Sequence, residues 1–303
     1  VRIALAWLDP SDPTDRAVAT GLGRALKGRG HRVLLVGPRR RRGEARRSRV
    51  AGLPLFRVTT AAELLELHRD ERVDAWHCHA FARGHAPLER AARLGRWPLV
   101  VTPHLVLEDY LRFAGGERGL GALLRGAGAV TAVCGASRRE LAARFPFLRG
   151  VRVIHNGAAA GAGLAARAGG GGVPFALCAA RLAPYKGQDL LLMAFARLAD
   201  ARPDARLVLC GRDQTRGGMR RLARALGVAD RVRFMGAVPP ARARRLMGRC
   251  RVFVLPSRRE NFPLALLEAM RAGAPVAAAA AGGVAELARD GREALLTRPG
   301  DIE

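Results

Sequence analysis

Arg251-Val252-Phe253-Val254-Leu255-Pro256, followed by Glu260-Asn261-Phe262-Pro263-Leu264-Ala265-Leu266-Leu267-Glu268, is the stretch on which the reading of this chain turns. Residues 251–256 are apolar and β-branched and stop at a proline, the pattern of a buried strand. The run from Leu264 to Arg271 predicts a helix, ended by Gly273 with Pro275 just beyond. A strand, a short loop and a helix N-terminus together form an anion site, because unpaired amides and the helix dipole point out of that end. Glu260 stands on the loop side of such a site and Glu268 further along the helix, so each can reach a group attached to the anion. An anion flanked by two hydroxyl-bearing groups describes a nucleotide-sugar: sugar, pyrophosphate, ribose. The carboxylate pair alone is a weak signal, because a solvated helix face also explains it.

Strand and helix patterns alternate outward from this segment along the whole chain. Strand-like runs cover 3–7, 32–36, 55–58, 73–77, 99–102, 129–133 and 151–154, then recur near Phe175, Leu207, Arg233, Val252, Val276 and Ala294. Helical patterns fall between them, among them 15–27, 63–69, 137–145, 190–198 and 220–226. Such alternation implies α/β structure with parallel sheets covered on both faces. Glycines at 157, 161, 163 and 169–172 make the best linker in the sequence. The predicted organisation is therefore a doubly wound Rossmann-like domain over 1–155, a hinge over 156–172 and a second Rossmann-like domain over 173–303. Two such domains facing across a cleft bind ligands at the carboxyl ends of their strands.

The 303 residues carry a formal net charge of +26, which invites a nucleic-acid reading. Composition argues against it. Only two of the 52 basic residues are lysine, alongside abundant alanine and glycine, the mark of GC-rich codon usage. Aromatic residues are also scarce, leaving few stacking platforms for single strands. A positive surface favours charged acceptors or anionic lipids instead. The densest run, Arg39 to Arg42 with Arg46, Arg47 and Arg49, is expected in a loop, either solvated or touching a membrane. No apolar run reaches membrane-spanning length, and the chain opens on a strand-like segment with no signal peptide, so a cytoplasmic location is expected, with the inner face of the cytoplasmic membrane as a possible station. The five cysteines show no CxxC spacing and read as buried free thiols. His77 and His79 share a strand face, but without a further ligand motif no metal site is assigned.

Because lysine is so rare, Lys186 stands out. It lies in Arg181-Leu182-Ala183-Pro184-Tyr185-Lys186-Gly187. One reading is a surface Arg and Lys flanking a turn. The other is a cationic pair aimed at a diphosphate, where charge-assisted hydrogen bonds strengthen as negative charge develops.

Together these segments resemble the retaining glycosyltransferases of family 4 (glycosyl transferases group 1), which have the GT-B fold. Glu260 to Glu268 resembles that family's Glu-x7-Glu motif and Arg181 to Gly187 its Arg-x4-Lys-Gly signature. The resemblance implies that Glu260 holds the donor sugar, Glu268 the ribose, and Arg181 and Lys186 the pyrophosphate. It also implies that amides near Phe262 and Leu264 face the phosphate, and that Gly282 and Gly283 approach the donor through their backbone. Met235 would touch the base through its main chain, Gly211 marks the family's Gly-x-Gly position, and His104 matches a histidine near the transferred sugar. The implied donor is UDP- or GDP-linked, with no cofactor or metal, and the acceptor is a glycan, lipid or small molecule.

Several positions depart from the family pattern. Residues 8–15 are acidic and proline-rich where relatives carry a glycine-rich loop. Pro263 replaces a common glycine and removes a backbone donor. Cys134-Gly135 stands where Ser-Glu is common. The chain stops at Glu303, where relatives begin the helices that return to the first domain, so a GT-B fold without its return helices is expected. Rival readings are a GT-B-like nucleotide-sugar epimerase or phosphorylase, and a truncated, non-catalytic sugar- or lipid-binding relative. Dinucleotide redox chemistry fits poorly, since Gly21-Leu22-Gly23 falls within a helix pattern and not at a strand-to-helix turn.

Overall fold

The structure, a computed structural model, describes residues 1–7, 13–39, 44–80, 86–104, 106–108, 116–158 and 174–301, without the side chains of 13–16. The chain divides into two compact units, Val1–Ala159 and Ala160–Glu303. Most of the glycine-rich stretch, residues 159–173, lies outside the described residues, as do residues 8–12 of the acidic segment and Arg40–Arg42.

The first unit is built on β1 (Arg2–Ala6), β2 (Arg32–Pro38), β3 (Arg47–Val50), β4 (Leu53–Val58), β5 (Ala75–Ala80), β6 (Leu99–Pro103), β7 (Ala129–Ala132) and β8 (Arg152–Val153). Their spatial order is β3-β4-β2-β1-β5-β6-β7-β8. All neighbours are parallel except β3 with β4. The central strands are apolar without alternation because helices cover both faces: Val33 to Val36 are buried in succession. One face carries Trp76, Leu99, Val101, Leu120 and Leu123, the other Leu5, Trp7, Leu35, Leu53 and Leu55. Helix starts follow capping chemistry. Thr60 accepts from the Glu63 amide while the Glu63 carboxylate accepts from the Thr60 amide, a capping box that opens the Ala61–Glu71 helix.

Two expectations change here. Arg47 and Arg49 lie not in a loop but on β3, an antiparallel edge strand paired to β4. The Arg47 guanidinium lies over the ring of its cross-strand partner Phe56, 5.0 Å from the centroid, and charged residues on an edge strand discourage further pairing. Arg39 and Arg46 of the same run pair with Glu63 at 2.8 and 3.3 Å. The strand read at 73–77 is displaced to Ala75–Ala80, which brings His79 fully into the ladder. The Pro13–Gly28 helix contains Gly21 and Gly23 in its interior, as the sequence implies, and its first residues are Pro13 to Asp15 of the acidic segment.

The second unit contains β9 (Phe175–Ala179), β10 (Arg206–Cys210), β11 (Val232–Gly236), β12 (Val252–Leu255), β13 (Val276–Ala279) and β14 (Leu295–Thr297). The order is β11-β10-β9-β12-β13-β14, all parallel. Strand order therefore reverses between β9 and β12, and chains leaving the two strands diverge to opposite faces there. Phe253, Leu255, Leu266 and Val276 fill one face of the sheet, and Leu192, Phe195, Leu207 and Leu209 the other. The helix read at 264–271 spans Leu264–Arg271. All five cysteines are free and buried.

Candidate functional site

Most site residues assigned to the second half lie at the carboxyl end of a strand in this second sheet or in the loop beyond it, while Leu264 and Glu268 lie on the helix that follows β12. Arg181 and Lys186 follow β9, Glu260 follows β12, Gly282 and Gly283 follow β13, Gly211 follows β10, and Met235 is the last residue but one of β11.

The loops after β9 and β12 meet. Lys186 Nζ lies 2.6 Å from Glu260 Oε1, with side chains 15% and 6% exposed. The same oxygen accepts a hydrogen bond from Ser257 Oγ at 2.7 Å, and Ser257 is fully buried. Two glycines permit this convergence. At Gly187 (φ +67°) a β-carbon would sit 2.0 Å from the Pro256 carbonyl oxygen, and at Gly282 (φ +57°) one would sit 1.8 Å from that of Glu260. No larger residue fits either position without moving the loop that carries Glu260. The Gly283 amide donates to the Asn261 carbonyl at 2.8 Å, which ties the β13 turn to the same loop.

Arg258 clamps the two loops further. Its guanidinium binds both carboxylate oxygens of Asp189 at 2.7 Å and donates to the Pro184 carbonyl at 2.8 Å. Its amide donates to the Tyr185 carbonyl at 2.9 Å. Burial pushes the Asp189 carboxyl up, but the Arg258 hydrogen bonds and charge outweigh it and hold the group below its ordinary value. Fully buried Gln188 receives the Ala183 amide at 3.3 Å and donates to the Arg181 carbonyl at 2.8 Å. The Arg181 backbone is thus fixed while its side chain is exposed. Sequence reading missed Ser257, Arg258, Gln188 and Asp189. The last two directly follow the Arg-x4-Lys-Gly signature, a position that could have marked them.

Glu268 lies one turn inside the Leu264–Arg271 helix and does not join the Lys186–Glu260 pair. Burial raises its pKa above the ordinary carboxylate value, partly offset by the positive charge of Arg244. Pro263 is the N-cap of this helix and offers no side-chain hydrogen bond to its first turn. The Phe262 side chain is buried. Further along the sheet, the Gly211 amide donates to Gly236 at 2.8 Å, and Cys210 Sγ lies 3.7 Å from Met235 Sδ.

His104 belongs to the first unit, just beyond β6. There its Nε2 lies 2.9 Å from His79 Nδ1, and His77 Nε2 lies 2.7 Å from Thr102 Oγ1. The His77 and His79 rings are 4.3 Å apart. Burial drives all three pKa values down, to about 4 for His77 and about 3 for His104, with the positive charge of neighbouring imidazoles adding to the effect at His79 and His104. The imidazoles are therefore neutral at pH 7. Among the described residues, no group of three or more His, Cys, Asp and Glu is placed to hold a metal ion.

This stack predicts acid sensitivity. Below about pH 6.5 the unfolded chain takes up protons that the folded chain refuses, so stability is complete above that pH and falls as pH drops toward 4. At ~1.4 kcal/mol per pKa unit, His77 alone accounts for about 3 kcal/mol over that window. Urea midpoints measured between pH 7 and pH 4 should fall more steeply for the wild type than for His77→Gln; parallel slopes would contradict the assignment.

Two family descriptions match the chain in succession: Glycosyltransferase Family 4 over residues 17–160 and Glycosyl transferases group 1 over residues 168–303. The chain belongs to the family 4 glycosyltransferases. A D-inositol 3-phosphate glycosyltransferase of Streptomyces avermitilis is 32% identical over 262 residues, 77% of this chain and 56% of that protein. One of Streptomyces scabiei is 38% identical over 134 residues, 41% of this chain and 30% of that protein. The chain thus spans about half or less of the length of these relatives. The family 4 chain is also similar to Anabaena HepE, solved in complex with UDP-glucose, with a TM-score of 0.77 at 21% identity, covering 99% of this chain and 86% of that one. This likeness identifies the fold as GT-B. Within the family 4 chain, the Glu-x7-Glu and Arg-x4-Lys segments meet at the strand-order reversal of the second sheet.

Proposed function

We propose that this chain transfers a sugar from a nucleoside diphosphate to an acceptor hydroxyl, with retention at the anomeric carbon and without a metal ion. The observation that carries the proposal is the meeting of Lys186 and Glu260 at the reversal point of a doubly wound sheet, where such folds bind ligands. The sugar–phosphate bond breaks with its electron pair going to the β-phosphate oxygen. Arg181, Lys186 and the first-turn amides near Leu264 bind the diphosphate more strongly as that charge develops, and that difference lowers the barrier. In this reading the cationic side chains supply the neutralisation for which a divalent ion would otherwise serve.

Glu260 grips the sugar hydroxyls and Glu268 the ribose. Gly282 and Gly283 bring backbone amides to the donor, and Gly211 and Met235 border the base. His104 acts as an uncharged hydrogen-bonding group, in keeping with its depressed pKa. The anomeric centre becomes oxocarbenium-like, as in glycoside hydrolysis. The acceptor oxygen then attacks on the leaving-group face and its proton passes to the departing phosphate. A UDP- or GDP-linked donor is proposed, with a glycan, lipid or small molecule as acceptor. The excess positive charge supports peripheral contact with anionic lipids at the cytoplasmic face. No helix among the described residues is long and apolar enough to cross a membrane.

The test is a transfer assay over a panel of nucleotide-sugars and acceptors, with the product configuration read by NMR. The product should keep the donor's anomeric configuration, and EDTA should leave the rate unchanged. An inverted product would overturn retention, and loss of transfer in EDTA would overturn metal independence.

A further inference from the structure

We propose that Ser257 is a positioning residue that holds Glu260 in its donor-gripping conformation; this role rests on the donor reading above. The two oxygens of Glu260 are treated unequally. Oε1 accepts from both Lys186 Nζ at 2.6 Å and Ser257 Oγ at 2.7 Å, whereas no hydrogen bond engages Oε2 among the described residues. The carboxylate is thus anchored through one oxygen and presents the other, with 6% of the side chain exposed.

The ion pair is a resting arrangement. A diphosphate arriving at the carboxyl end of β9 competes for the Lys186 ammonium, since phosphate oxygens are strong acceptors for an ammonium donor. Once Lys186 turns to the phosphate, the Ser257 hydroxyl remains as the internal donor to Oε1. A buried carboxylate with one donor removed is costly unless another stays. Ser257 suits this task because it is fully buried, has a short side chain with little freedom to lose, and sits three residues before Glu260 on the same loop. It touches neither sugar nor phosphate in this account and acts only through Glu260.

The test compares paired affinities by titration calorimetry: UDP-glucose against UDP, and GDP-mannose against GDP. In the wild type the sugar-bearing member of the cognate pair should bind more tightly. Ser257→Ala should reduce that sugar-dependent gain by about tenfold while leaving the affinity for the bare nucleotide unchanged. In a Glu260→Ala background, where no acceptor remains for the hydroxyl, the Ser257→Ala effect should shrink, because the two residues act in series. An unchanged sugar-dependent gain in Ser257→Ala, or an undiminished effect in the Glu260→Ala background, would overturn the role of Ser257 alone. A wild type that binds bare nucleotide and nucleotide-sugar equally would overturn the assignment of Glu260 to the sugar, and this role with it.

Discussion

Replacing Glu260 with Ala is expected to abolish sugar transfer, by about a hundredfold or more, while binding of the bare nucleoside diphosphate persists. The reason is geometric. The Glu260 side chain is 6% exposed and anchored at Oε1 by Lys186 and Ser257, of which Ser257 would remain once Lys186 turns to a phosphate, so a sugar held by the other oxygen would be held in one place. Misplacing a reacting group by about 1 Å costs on the order of a hundredfold in rate. The phosphate contacts proposed for Arg181 and Lys186 would be made by their own side chains and not through this carboxylate, so nucleotide affinity should survive. Because Ala also strands the Lys186 ammonium, Glu260→Gln is the companion variant: its amide oxygen can still accept from Lys186 and Ser257, keeping the loops together. Transfer by both variants at the wild-type rate would remove Glu260 from the reaction.

Lys186→Ala should have the second large effect, and it should act on stability as well as on donor binding. Removing one partner of a buried ion pair leaves the other charge buried, at a cost of about 3–5 kcal/mol. Here the Ser257 hydroxyl still engages Glu260, so the loss should fall toward the lower end of that range. Chemical denaturation would measure it. Lys186→Ala combined with Glu260→Gln should recover most of the lost stability, because no unpaired buried charge remains, yet should not recover nucleotide affinity. Recovery of both would show that Lys186 serves only to hold Glu260.

How much of this was legible in the residues depends on the range of the interaction. The Leu264–Arg271 helix was readable because its stop signals, Gly273 and Pro275, are local. The parallel pairing of the strands followed from alternation, since two parallel neighbours need a crossover between them, but the order of strands in each sheet did not. Edge strand β3 was not legible: Arg47-Ser48-Arg49-Val50 carries one apolar residue, and its pairing with Leu53–Val58 overrides the propensity. At the site, the Glu-x7-Glu spacing pointed to Glu260, but its bond to Lys186 spans 74 residues and the Arg258–Asp189 clamp spans 69. No local pattern encodes such pairings. The His77 and His79 rings shared a face by strand period alone. That His104 joins them required the parallel register of β5 and β6, which sets His79 opposite Thr102.

The most direct test of the central claim, that the carboxyl end of the second sheet holds a nucleoside diphosphate-sugar, is ligand-dependent thermal stabilisation across a nucleotide-sugar panel. At a concentration about a hundredfold above the dissociation constant, a ligand of the native state adds about 2.7 kcal/mol. At least one donor should raise the melting temperature of the wild type by several degrees, and the rise should disappear in Lys186→Ala measured against its own unliganded baseline. No rise with any UDP- or GDP-linked sugar, or an equal rise in Lys186→Ala, would contradict the account.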